Sequence, residues 1–245
     1  MFQIKAEAAR LTPELIKKDR APIYLSMGAP KQAPPKFAID ALKDALNEPN
    51  IHSYSTPKGE TYFLEAVAQR MKNRFGVEIN PDKEIFSLIG SKEGIANLIR
   101  FLITQGNGDT IMIPDPCYAS YLQFIQAAGG IAYHMPLTEE NDYMPDLNEV
   151  YDKFIKEGYN PDKLKALIIN YPNNPLGVSA TREYVQSAID FCKKHKILLI
   201  SDLAYSEVYF DEKEKPFSVF ELNGAKDIAV EFHSFSKSYA LTGWR

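Results

Sequence analysis

From about residue 85 onward, short apolar runs alternate with longer amphipathic ones. The apolar runs are IFSLIG (85–90), TIMIPD (110–115), GIAYHMP (130–136), ALIINYP (166–172), ILLISD (197–202) and IAVEFHS (228–234). A strand with one wet face would alternate, whereas these are apolar almost throughout and so read as strands covered on both faces. Between most of them lie segments of helical character, at 92–104, 117–127, 146–156 and 182–195. Strand–helix repetition of this kind predicts an α/β fold, a three-layer, mostly parallel, doubly wound sheet. Before residue 85 the pattern changes: helical pieces at 36–47 and 61–75 are joined by turns such as SMGAPKQAPP and YSTPKGE. This predicts an N-terminal arm over 1–35 and one large domain over 36–245. The charge run DEKEKP (211–216) reads as a solvated loop.

Composition narrows the picture only slightly. With 245 residues, 45% of them hydrophobic, the chain can bury the core of one large domain. A net charge of −4 gives no electrostatic case for nucleic acid or an anionic membrane. The two cysteines, Cys117 and Cys192, lack metal-type or framework spacing, which points to a reducing cytoplasm. The N-terminal stretch MFQIKAEAARLTPELIKKDR is amphipathic and charged, without an apolar signal core. His52, His134, His195 and His233 lie far apart without ligand spacing, so no metal is expected. GNGDTI (106–111) lacks a third glycine and follows a helix, which sets dinucleotide binding aside.

Ligands of doubly wound sheets bind beyond the carboxyl ends of the strands, so residues there carry the chemistry. After the run ending at Gly90, Ser91 and Lys92 open a helix whose free N–H groups suit a phosphate; the plainer reading is a Ser91 N-cap. After Asp115 comes Tyr118, whose ring could lie against a planar ligand or simply pack. After Pro172 come Asn173 and Asn174 on an X-Pro turn, which presents an amide at little entropic cost. Asp202 ends an apolar strand, where a partly desolvated acid needs a cationic or hydrogen-bonding partner, the plainer reading being a helix N-cap; Tyr205 follows three residues on. Beyond the last run stand Ser234, Ser236 and Lys237, then Gly243 and Arg245. A lysine among hydroxyls, near an arginine able to grip phosphate, is what an imine-linked phosphorylated cofactor requires. Pyridoxal phosphate needs that lysine, an acid for its ring nitrogen and anchors for its phosphate, and all three occur at successive strand ends.

From about Met27 to Arg245 the chain resembles the large domain of fold-type I pyridoxal-phosphate enzymes, in the class I/II aminotransferase family. The resemblance is carried by YPNNPLG, SDLAYSE and SFSKSYALTGWR, while GSKEG and DPCYASY are similar to the diaminopimelate aminotransferase-like branch. It implies a cytoplasmic transaminase that moves an amino group between an L-amino acid and a 2-oxo acid by a ping-pong cycle. By position, Lys237 would form the imine and shuttle the proton, and Asp202 would pair with the ring nitrogen. Tyr205 and Asn174 would bond the phenolic oxygen, and Tyr118 would stack on the ring. Ser91, Lys92, Ser234 and Arg245 would hold the phosphate with Ser236 close by. Tyr54 would reach the neighbouring subunit's phosphate, implying a homodimer. Gly28, with Asn174, would line the substrate carboxylate end.

Two positions depart from the family pattern. Leu176 stands where a Thr is usual, outside the chemistry. Pro57 stands where the diaminopimelate enzymes carry a glutamate that helps recognise the distal amino group, which argues against that substrate. The family continues past the lysine motif into a small C-terminal domain that supplies a carboxylate-clamping arginine. The resemblance therefore implies a fragment or a truncated product. A lyase performing β-elimination on the same scaffold, and a non-catalytic cofactor-sensing domain, are the alternatives. No basic helix-turn-helix segment precedes residue 28, which argues against the sensor.

Overall fold

The computed structural model describes residues 2–21, 23 and 28–244, with backbone alone at Phe2, Gln3 and Lys5. The chain divides into two compact units, one up to Lys31 and one from Gln32 on. The first carries helix α1 (Phe2–Lys17), with Pro13 inside it. On α1, Arg10 pairs with Glu7 at 2.6 Å, and the Thr12 hydroxyl donates to the Ala8 carbonyl at 2.7 Å.

The second unit begins with α2 (Lys36–Ala45), α3 (Thr61–Phe75) and the single turn α4 (Pro81–Glu84). Gly76 ends α3 in the left-handed region, and the Asn80 side chain caps α4 by accepting from the Asp82 N–H. Helix α5 (Ser91–Leu102) then leads into β1 (Thr110–Asp115), α6 (Ser120–Ala127) and β2 (Ile131–Pro136). They are followed by α7 (Leu147–Lys156), β3 (Leu164–Ile169), α8 (Arg182–His195) and β4 (Leu198–Asp202). The last elements are β5 (Ala229–Phe232) and the turn α9 (Phe235–Ser238). Asp146 and Thr181 cap α7 and α8 through their side-chain oxygens, fixing where each helix starts.

The five strands pair in parallel, in the order β2-β1-β3-β4-β5. Strand periodicity sends alternate residues to opposite faces, and both faces are covered. Ile111, Ile113, Ala166, Ile168 and Ile200 face one side and pack with Ile95, Ile99, Tyr121 and Ile125 of α5 and α6. Met112, Leu167, Ile169 and Leu199 face the other and pack with Phe154, Val185 and Ile189 of α7 and α8. The result is the three-layer α/β sheet expected from the apolar runs. The order reverses between β1 and β3, the kind of switch point at whose carboxyl ends ligands of such sheets bind.

Several expectations are corrected. Residues 85–90 form no strand: Ser87 N–H donates to the Lys58 carbonyl at 2.7 Å, and Phe86 and Ile89 are largely exposed. Apolar residues make a strand only where a neighbour accepts the ladder, and this segment pairs with none of the described strands. The run over 166–172 ends as strand at Ile169, because Asn170 turns its amide inward and Pro172 has no N–H to give. The helix expected from 117 starts at Ser120. The outer strands are not buried on both faces. Exposed and buried residues alternate along β2, and in β5 only Phe232 is buried.

Candidate active site

Asp202 is the last residue of β4 and only 6% exposed. Tyr121, fully buried on α6, donates its hydroxyl to Asp202 Oδ2 at 2.6 Å. The other oxygen, Oδ1, is buried and meets no hydrogen-bond partner among the described residues. A buried carboxylate with one open oxygen is costly unless something cationic meets it. Burial pushes the Asp202 carboxyl up to about 6, against the downward pull of the Tyr121 hydroxyl, His233 and the Ala204 N–H. No helix follows Asp202, so the N-cap reading of this residue falls away.

The neighbouring strand ends converge on it. Tyr118, after β1, meets Tyr121 edge-on with ring centroids 5.6 Å apart. Tyr205 lies close enough to Asp202 and Tyr118 for both to raise its hydroxyl pKa after burial has done so, while a hydrogen bond with the Asn174 side chain pulls it back. Asn174, past β3, is held by its own N–H, which donates to Asn170 Oδ1 at 2.9 Å. Lys237 sits on α9 with Nζ 5.9 Å from the Tyr205 ring centroid. Burial lowers its pKa, which enlarges the neutral, nucleophilic fraction of the amine.

Of the residues proposed for the anion end, Ser91, Ser234 and Ser236 share a cavity that Tyr118, Asn174, Asp202, Tyr205 and Lys237 do not line. Gly90, not Ser91, occupies the N-cap of α5, at φ 136° and ψ 150°, and no described side chain caps the helix. Ser91 becomes its first residue, and the main-chain N–H groups of this first turn are of the kind that bind an anion. Ser234 Oγ accepts from the Ser236 N–H at 3.2 Å, which starts α9. An open cavity of about 570 Å³ joins Ser91, Ser234 and Ser236 and runs on past Phe86, Leu241 and Trp244. Lys92 leans over α6, its Nζ 5.8 Å from the Phe124 ring. Tyr54 is fully exposed, and Gly28 belongs to the N-terminal unit. Arg245 lies outside the described residues.

Three supports of this cluster were not singled out in the sequence. One is Tyr121, whose i, i+3 spacing from Tyr118 was its only signal. Another is Asn170, read as strand interior, whose Nδ2 donates to the Asp202 carbonyl at 2.8 Å. The third is a clamp on the segment after Tyr205. Arg70 and Arg74 of α3 hold Glu207 at 2.6 and 3.2 Å, and Arg74 also donates to the Ser206 and Pro216 carbonyls. Among the described residues no group of acids, histidines or cysteines is placed to hold a metal ion, and no helix is long and apolar enough to cross a membrane.

A parallel α/β sheet with an amine, a buried acid and an open helix N-terminus at its carboxyl edge defines a protein built to hold a phosphorylated, aldehyde-bearing cofactor. The sequence pattern of aminotransferase class I and II matches residues 20–245, and the chain belongs to that family, whose members use pyridoxal phosphate. It is 42% identical over 240 residues to an LL-diaminopimelate aminotransferase of Maridesulfovibrio salexigens, covering 98% of this chain and 60% of that one. The enzyme of the same name from Aquifex aeolicus is 41% identical, with the same coverage. Among solved structures, substrate-bound BacF from Bacillus subtilis superposes with a TM-score of 0.86 at 34% identity, covering 100% of this chain and 58% of that one. A probable N-succinyldiaminopimelate aminotransferase from Thermus thermophilus gives 0.83 at 34%, covering 100% and 62%. The chain thus spans about three-fifths of the length of the curated relatives it matches.

Proposed function

We propose that the protein transfers an amino group between an L-amino acid and a 2-oxo acid, using pyridoxal phosphate held at the carboxyl edge of the sheet. The observation that carries this reading is the buried Asp202 carboxyl, with Oδ1 unpartnered among the described residues and Tyr118, Tyr205, Asn174 and Lys237 gathered around the same strand ends. When bound, the cofactor supplies an electron sink that stabilises negative charge at the amino acid's Cα.

The chain's own residues hold and tune it. Asp202 presents Oδ1 to the protonated ring nitrogen, and the pairing keeps both ionised. Tyr118 offers a ring face, and Tyr205 and Asn174 together bond the phenolic oxygen. The α5 N-terminus, Ser91, Ser234 and Ser236 take the phosphate, joined by Lys92 and Arg245. Lys237 would hold the cofactor through its amine and would move the proton at the substrate's Cα. Asn174 faces the substrate carboxylate. A homodimer is part of the proposal, with the exposed Tyr54 reaching the partner's phosphate site. Pro57 disfavours a substrate with a distal ammonium group, since it offers no anion there.

The test is to assay the protein with a panel of amino acids, with and without 2-oxoglutarate. Product 2-oxo acid that forms only when the acceptor is present supports transamination. Ammonia or a sulfur product released without acceptor would make it a lyase.

A further inference from the structure

Asp202 can serve a ring nitrogen only if its carboxyl is ionised and one oxygen is left facing the ligand. Burial works against the first requirement, since a carboxyl this enclosed favours the neutral form. From the main chain just past β4, the Ala204 N–H favours the ionised carboxyl. Tyr121 donates to Oδ2 from α6, with Tyr118 and Cys117 on the segment leading into that helix. Past β5 stands His233, and past β4 Tyr205. From the end of β3 comes Asn170, which is uncharged and bonds only the Asp202 main chain. Among these, Tyr121 alone makes a side-chain hydrogen bond to the carboxylate. Its ring is fully buried and packs edge-on against Tyr118 at 5.6 Å. One side chain therefore touches both the acid and the ring assigned to the cofactor's face.

We propose that Tyr121 is a positioning residue for the reaction: by occupying Oδ2 it leaves Oδ1 as the oxygen that meets the cofactor, and it holds Asp202 in its ionised form near neutral pH. This rests on the reading that Asp202 pairs with the cofactor ring. A tyrosine present only to fill the core would support the fold without setting the charge of Asp202.

Tyr121→Phe removes the hydroxyl and keeps the ring. The direct readout is the carboxyl carbon-13 shift of Asp202 in cofactor-free protein, assigned by its loss in Asp202→Asn. In Tyr121→Phe its titration midpoint moves up by about one pH unit or more, the size expected for losing a hydrogen bond to a charged group. A ring-fluorinated tyrosine at the same position is a stronger donor and moves the midpoint down, in a protein that keeps every contact. The second readout is the pyridoxal phosphate dissociation constant, which in Tyr121→Phe weakens about twofold near pH 7 and about tenfold near pH 5, and recovers in alkaline buffer as Asp202 ionises again. An unmoved midpoint, or a loss of affinity equal at all pH values, overturns the proposal. Asp202→Asn separates the two layers. Wild-type cofactor affinity in that variant sinks the reading of Asp202 itself, while weakened affinity there with an unmoved Tyr121→Phe midpoint sinks the role of Tyr121 alone.

Discussion

Replacing Asp202 by Asn keeps the shape of the side chain and removes its ability to ionise, so the pair isolates the cost of holding this acid in the core. In the folded chain the carboxyl sits at about 6, against an ordinary value of 3.8. The folded state therefore binds the proton more tightly than the unfolded state does. As pH rises from about 4 to about 6, the unfolded carboxyl ionises while the folded one stays neutral, and stability contributed by the proton is lost. The difference between 3.8 and about 6, at about 1.4 kcal/mol for each tenfold change in proton affinity, amounts to about 3 kcal/mol. Urea denaturation of cofactor-free wild type and Asp202→Asn, run from about pH 3 to about pH 8, measures it. The stability of wild type minus variant should fall by about 3 kcal/mol across that range and level off above it. Adding pyridoxal phosphate should flatten the wild-type profile, because a cation at Oδ1 brings the carboxyl back down. A difference that stays constant with pH would refute the reasoning, since Asp202 would then titrate as an exposed acid.

Other consequences follow from single positions. Gly90 holds φ 136° and ψ 150°, a region essentially closed to residues with a Cβ. Gly90→Ala should cost about 1–3 kcal/mol, read by thermal melts, and should weaken cofactor affinity by misplacing Ser91. Phe154 is fully buried between Tyr133 and Tyr159, each with its ring centroid 5.0 Å away. Phe154→Ala should destabilise by about 3–5 kcal/mol in urea while leaving the cofactor dissociation constant of the folded protein unchanged, because the site lies at the strand ends, away from that layer.

What could be read from the sequence follows from which signals are local. The strands β1, β3 and β4 were legible because both their faces are buried, so their apolar runs are continuous. Residues 85–90 carry the same signal and form no strand, because pairing depends on a neighbour that periodicity does not report. Asp202, Tyr205, Asn174 and Lys237 were legible because each stands at a strand end, where a polar residue after an apolar run is conspicuous. Tyr121 and Asn170 were not. Each belongs to a segment that reads as core or strand, and their roles come from partners 81 and 32 residues away. The α5 terminus was half legible. A helix start was plain, but only the backbone shows that Gly90 takes the cap and frees Ser91. Arg74 reads as one more charge on α3, yet it reaches Ser206 and Pro216, 132 and 142 residues on.

The central claim is that Lys237 holds the cofactor. Borohydride reduction of the protein loaded with pyridoxal phosphate, followed by proteolysis and mass mapping, tests it without relying on turnover. The account predicts one stoichiometric phosphopyridoxyl adduct, on Lys237, and its disappearance in Lys237→Ala. An adduct mapped to Lys92 or another lysine, with Lys237 unmodified, would contradict it.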